Sequence, residues 1–196
     1  GTRSALTVLA FMLLYKLGDS MATALATPFY LDLGFSKTEI GTIAKVAALW
    51  SSVVGGLVGG AVMVKIGINR ALWIFGFIQM LSILGFAFLA FVGGQIGVLA
   101  VVIAFEYFGV GLGTAALTAF IARETNKTFA ATQFAIFTAL AAIPRSLANA
   151  STGWFVDELG WVLFFILCTI LALPGLTVLF WIAPWQNETT NISEQY

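Results

Sequence analysis

Five charged side chains, Lys16, Asp19, Lys45, Glu106 and Arg145, lie inside stretches otherwise apolar enough to cross a membrane. A charge near the centre of a bilayer costs roughly 2.5–3.5 kcal/mol on insertion scales, so five of them are hard to explain as filler. The pattern restricts the chain to folds in which helices pack around a shielded polar interior. Its default reading is a pathway for a solute or a proton.

Composition points the same way. Hydrophobic residues make up 60% of the chain and charged residues 9%, with a mean hydropathy of +1.00; soluble domains run near ~25% charged. Charge-poor segments occupy Leu6–Leu31, Ile40–Val64, Ala71–Phe105, Tyr107–Ala122, Phe129–Val156 and Leu159–Asn187, the third interrupted by Gly93-Gly94-Gln95. At about 20 residues per crossing they predict an all-α integral membrane bundle of six transmembrane helices over residues 1–187. A polar cytoplasmic tail follows over 188–196. Barrel strands need only ~9–11 residues and would alternate polar with apolar, which these segments do not.

The chain has no histidine and one cysteine, Cys168. That excludes an internal disulfide, a Cys/His zinc site and any Ser-His-Asp or Cys-His nucleophile. No serine has glycines at both second neighbours, so the nucleophile elbow is missing as well. The expectation is a protein that is not an enzyme, with no cofactor, no metal site and no nucleic-acid partner, whose surroundings are the lipid bilayer. The chain opens Gly-Thr-Arg and passes at once into a full-length span, which reads as a piece of something longer.

With the amino terminus in the cytoplasm, Arg3, Lys65, Arg70, Arg123 and Lys127 fall on that side and Lys37 alone on the other, as the positive-inside rule requires. An internal repeat runs beneath this topology. Gly60-x6-Gly67 and Gly153-x6-Gly160 share their spacing 93 residues apart, and Phe35-Ser-Lys-Thr38-Glu39 corresponds to Phe129-Ala-Ala-Thr132-Gln133 at an offset of 94. Three helices separate the copies, so the two triplets must be inverted with respect to each other. Inverted three-helix repeats mark transporters. Ser36-Lys-Thr-Glu39 reads as a capping box that opens the second helix. Gly55/Gly59, Gly56/Gly60 and Gly109-x-Gly111-x-Gly113 read as close-packing surfaces.

In the first helix Lys16, Asp19, Thr23 and Thr27 fall at i, i+3, i+7 and i+11, one polar stripe that looks like a cavity wall. The competing reading is a self-neutralising ion pair that tolerates burial. The fifth helix repeats the device with Thr138, Arg145, Asn149 and Thr152, with Pro144 kinking the chain beside the arginine. Arg145 either holds an anionic group in a two-pronged contact or bridges to Glu106 or Asp19. A carboxylate partly shielded from water suits reversible proton uptake, which makes Asp19 the first candidate for a proton carrier and Glu106, placed shallower in the fourth helix, the second. Lys45 is placed to snorkel toward the outer interface.

The turn Gly60-x-x-x-Val64-Lys65-x-Gly67-x-Asn69-Arg70 resembles the cytoplasmic loop motif of the major facilitator superfamily, with Val64 where an aspartate usually stands. Gly60, Lys65, Gly67 and Arg70 are the matching gate-loop positions. More specific are Tyr15-Lys16-Leu17-Gly18-Asp19, Asn126-Lys127-Thr128-Phe129 leading to Thr132-Gln133-Phe134-Ala135, Arg145, and Gly153-Trp154-Phe155-Val156 leading to Gly160-Trp161 and Phe164-Phe165. In order and spacing they resemble the carboxyl-terminal half of AmpG-type muropeptide permeases over nearly the whole chain, although Pro144 stands where a smaller residue is expected. The resemblance implies one half of a twelve-helix major facilitator fold in the bacterial inner membrane, completed by a missing amino-terminal six-helix half. It implies proton-driven import of anhydromuropeptides for peptidoglycan recycling by alternating access, with Lys16, Asp19, Gln133 and Arg145 lining the cavity. Such a glycopeptide needs basic groups, amides and aromatic faces, which Tyr15, Lys16, Gln133, Arg145 and Asn149 offer. The alternatives are a related facilitator for a siderophore or an acyl-coenzyme A, and a non-transporting membrane scaffold or channel.

Overall fold

The computed structural model describes residues 2–124, 135, 139, 142 and 146–185, and within them it is helical throughout. Gln133, Pro144, Arg145 and the 188–196 tail lie outside the described residues. The helices are α1 (Thr2–Ala24), α2 (Ala26–Asp32), α3 (Lys37–Glu39), a π turn (Ile40–Ala44), α4 (Lys45–Ile66), α5 (Ile68–Val92), α6 (Ile96–Glu124) and α7 (Thr152–Ile182). Among the described residues four stretches are long and apolar enough to cross a membrane: Lys37–Ile66, Ile68–Val92, Ile96–Arg123 and Thr152–Ile182. The charged α1 is not among them, and most of the expected fifth span falls outside the described residues.

Helix ends follow local chemistry. Ser36 and Glu39 form the expected capping box, the Glu39 carboxylate accepting from the Ser36 backbone amide at 2.8 Å and the Glu39 amide donating to the Ser36 hydroxyl at 3.2 Å. Gly67 at φ 82, ψ 160 and Gly160 at φ 73, ψ 167 take the same left-handed extended conformation, which only glycine adopts without strain. Gly160 therefore divides α7 into a short first part and a long second one.

Two ends of the bundle are tied by separate contacts. At one, the Trp161 indole donates to Asp32 at 3.2 Å, and Gly94 lies against the Leu33 carbonyl. At the other, Asn69 accepts from Arg123 at 2.8 Å and donates to the Pro184 carbonyl at 3.3 Å, while Trp73 donates to the Ala183 carbonyl at 2.9 Å. Each end has its own apolar core. Phe29, Phe35, Phe86, Leu99, Phe164 and Phe165 belong to the first, and Phe11, Leu72, Phe75, Phe120 and Leu179 to the second.

Glycine sets the approach of α4 to α6. A Cβ on Gly55 would collide with the Phe108 carbonyl, one on Gly111 with the Ser52 carbonyl, and one on Gly59 would lie 3.3 Å from the Leu112 Cα. The other half of the expected small-residue face behaves differently, since Gly56 and Gly60 have open space where a side chain would stand. With one face on α6, α4 turns Val46, Leu49, Trp50, Val53 and Leu57 outward, a surface suited to lipid or a second bundle and not to water.

This packing makes a paired prediction. Gly55→Ala forces backbone apart and should cost about 1–3 kcal/mol, as overpacking does, whereas Gly56→Ala should be neutral or stabilising, alanine being the better helix former by about 1 kcal/mol. Thermal unfolding of the two variants in detergent separates them, and equal melting points would refute the packing described.

Candidate functional site

A polar layer separates the two apolar cores, and each of its members is placed by a helix. Lys16 and Asp19 sit one turn apart on α1, Gln79 and Ser82 one turn apart on α5, and Glu106 on α6. The Lys16 ammonium meets Asp19 Oδ2 at 3.3 Å. Ser82 donates its hydroxyl to Glu106 Oε2, with the Gln79 carbonyl also in reach at 2.7 Å. Burial is nearly complete: Asp19 is 8% exposed, Gln79 3%, and Ser82 and Glu106 0%.

The start of its helix fixes where Glu106 stands. Helix α6 begins at Ile96, directly after the Gly93-Gly94-Gln95 turn, so Glu106 stands about ten residues into a 29-residue helix. At 1.5 Å per residue that is ~15 Å, and its buried carboxyl group shares one polar layer with that of Asp19. Each nevertheless keeps one oxygen without a hydrogen-bond partner, Asp19 Oδ1 and Glu106 Oε1. Ionised carboxylates only accept hydrogen bonds, so no such bond joins them unless one carries a proton. Among the described residues one cation, Lys16, stands against this acidic pair, and a single proton brings the layer to neutrality.

Both side-chain atoms of the Gln79 amide are likewise unpartnered. A small cavity of about 10 Å³, close to the space one water takes, is lined by Tyr15, Asp19, Gly76 and Gln79. Gln79 and Ser82 went unremarked in the sequence although they are the only strongly polar side chains of α5 beyond its first turn. Their i, i+3 spacing in an apolar helix is the signal that finds them. Two glycines of α6 make the room: a Cβ on Gly113 would strike Gln79 Oε1, and one on Gly109 would stand 3.2 Å from the Ser82 hydroxyl. The Gly109-x-Gly111-x-Gly113 run thus serves two faces, the polar layer at 109 and 113 and α4 at 111.

The remaining predicted residues spread over the bundle. Tyr15 is buried in the second core and donates its hydroxyl to the Leu72 carbonyl at 3.2 Å. Asn149 reaches α1, donating to the Ser20 hydroxyl at 3.0 Å, and Thr23 of the same stripe bonds back to the Asp19 carbonyl at 2.8 Å. Of the gate-loop positions, Lys65 is exposed, Gly67 makes the turn, Gly60 faces open space, and the Arg70 Nε lies 3.5 Å from the Trp185 carbonyl. The loop is fastened to the end of α7 through backbone carbonyls.

The family model of the Major Facilitator Superfamily matches residues 7–195. The chain belongs to the Major Facilitator Superfamily. It is thus a multi-pass membrane protein of a transporter family and not an enzyme. It is 34% identical, over 100% of its length, to the anhydromuropeptide permease of Escherichia coli K12, covering 40% of that protein. It is 37% identical over 96% of its length to a Rickettsia felis protein provisionally named transporter AmpG 4, and 48% identical over 98% to an uncharacterized protein of Haemophilus influenzae, covering 44% and 47% of them. The AmpG resemblance read from the sequence is thereby upheld. The chain spans about half the length of the curated relatives it matches.

Charge bookkeeping in the polar layer of this facilitator chain is testable by stability. Lys16→Met leaves two buried carboxyl groups with no cation and should cost about 3–5 kcal/mol, as breaking a buried pair does, whereas Asp19→Asn leaves Glu106 as the counterion of Lys16 and should cost less, and Lys16→Met/Asp19→Asn should lose less than the sum of the two. Thermal unfolding of wild type, both single variants and the double variant measures the coupling. Strictly additive losses would show that the pair is not coupled.

Proposed function

We propose that this chain is the carboxyl-terminal half of a proton-coupled importer of cell-wall anhydromuropeptides, working by alternating access in the bacterial inner membrane. The observation that carries the coupling is the burial of two carboxyl groups, Asp19 and Glu106, in one polar layer with a single described cation. Such a layer changes its net charge by one on binding a proton. Charge in a low-dielectric interior is costly, so the protonated and deprotonated forms favour different surroundings. That difference lets a proton gradient bias a conformational equilibrium.

The substrate reading is supported by the full-length match to an anhydromuropeptide permease. Lys16, Gln133, Arg145 and Asn149 are the groups proposed to receive the glycopeptide, with Tyr15 behind them. The architecture proposed is six helices in two inverted three-helix repeats, a reading supported by the shared conformation of Gly67 and Gly160, 93 positions apart. One such half supplies one wall of a cavity, and an amino-terminal six-helix half would supply the other. The outward apolar face of α4 suits that arrangement. Both ends of the segment are placed in the cytoplasm by the Lys/Arg asymmetry of the loops.

The test uses the complete transporter in vesicles with an imposed pH gradient. Asp19→Asn and Glu106→Gln are each expected to abolish uphill accumulation of radiolabelled anhydromuropeptide while leaving exchange of internal for external substrate, which needs no net proton movement. Accumulation at wild-type level in both variants would remove the carboxyl pair from coupling. Failure of the wild type to take up the compound at all would instead overturn the substrate.

A further inference from the structure

Outside the polar layer the bundle holds a second cavity of about 430 Å³ at the end where α2 meets α3, within the range of small-molecule sites. Its walls include Thr23, Thr27, Tyr30, Lys37, Lys45 and Tyr107. The backbone explains why two lysines eight positions apart share it. In a regular α-helix that separation leaves them about 80° apart around the axis, from 3.6 residues per turn. The π turn Ile40–Ala44 lies between them and winds more slowly, which brings Lys37 and Lys45 toward one face. Gly41, inside the π turn, also lines the cavity, and nothing lies within 4 Å of where its side chain would stand.

Both lysines are exposed, and among the described residues neither forms an ion pair. The acids nearest in sequence are occupied: Glu39 is held by Ser36 in the capping box, and Asp32 accepts from Trp161. The cavity therefore presents two positive charges that form no ion pair among the described residues. Its wall adds two phenol rings, Tyr30 and Tyr107, together with Thr23, whose hydroxyl donates to the Asp19 carbonyl at 2.8 Å, so the cavity abuts the polar layer. Ammonium groups, hydroxyls and ring faces together fit a solute bearing several carboxylates and a hydroxylated ring.

We propose that the cavity walled by Lys37, Lys45, Tyr30 and Tyr107 is a docking site for the carboxylates of a multiply anionic solute, which it hands on to the Lys16–Asp19–Glu106 layer. The inference rests on the import reading above and deepens it, since it assigns the peptide carboxylates of the substrate to Lys37 and Lys45. Neither lysine belongs to the substrate-binding set read from the sequence. Their alternative partner is the phosphate of an anionic lipid headgroup, to which exposed lysines near a membrane surface also reach.

Binding to the complete transporter in nanodiscs decides between these. The probe is a radiolabelled anhydromuropeptide, used with its peptide carboxylates free and with them amidated. The wild type should bind the free acid more tightly than the amide. Lys37→Gln/Lys45→Gln should weaken binding of the acid by at least about tenfold, since a hydrogen bond to a charged group contributes ~1.5–3 kcal/mol, and should leave the amide unchanged. In uptake assays the same variant should raise KM for the acid with little change in maximal rate. Lys37→Arg/Lys45→Arg should retain much of the preference for the acid, which confirms that charge and not a misfolded wall is at issue. Unchanged acid binding in the double glutamine variant overturns the docking site and leaves the import reading standing. An effect confined to nanodiscs containing phosphatidylglycerol assigns the lysines to lipid and likewise overturns it. If the wild type neither binds nor transports the compound, both readings fall together.

Discussion

Two carboxyl groups and one ammonium buried between two apolar cores are the constraint on which the rest of this bundle depends. Hydrocarbon cannot solvate them, so every helix that passes their level must supply a partner or stand back. Helix α1 supplies both members of the ion pair, α5 supplies a hydroxyl and an amide, and α6 supplies Glu106. Glycines at 109 and 113 stand back, leaving the volume that the Gln79 amide and the Ser82 hydroxyl occupy. An all-aliphatic layer at this level would pack more easily and be cheaper to insert. The polar layer has what proton binding needs: two buried acceptors, one counterion among the described residues and little water.

The same economy explains the periphery. Glycine lets α4 lie close on α6, and that close packing leaves the opposite side of α4 as an apolar row that faces outward among the described residues. The π turn that opens this helix carries two lysines onto a cavity next to the polar layer. Close packing inside, an open apolar flank outside and a basic cavity at one end are what half of an alternating-access transporter would present to its other half and to an anionic solute.

Much of this was legible in the sequence because membrane insertion makes burial visible as composition. The helix boundaries at Gly67, Gly93 and Gly160, the capping box at Ser36 and the Lys16–Asp19 pair all follow from short-range rules, and the structure carries each of them. What sequence spacing could not supply was the meeting of separate helices. Glu106, about ten residues into α6, shares a buried layer with Asp19 that no spacing within one helix reveals. Tyr15 lines the small cavity beside Asp19, and its ring also packs against Gly76 while its hydroxyl bonds a backbone carbonyl. Lys45 seemed a residue that merely snorkels, because no periodicity rule anticipates a π turn. Gln133 and Arg145 lie outside the described residues, so their part in the site stays a proposal built on resemblance.

Proton uptake on substrate binding tests the central claim most directly. The purified complete transporter is mixed with anhydromuropeptide in weakly buffered detergent solution, and the pH change is followed with an indicator dye. The account predicts proton uptake by the wild type that is lost in both Asp19→Asn and Glu106→Gln, while both variants still bind the compound. Undiminished proton uptake in both would contradict it, because the proton would then reside elsewhere in the protein.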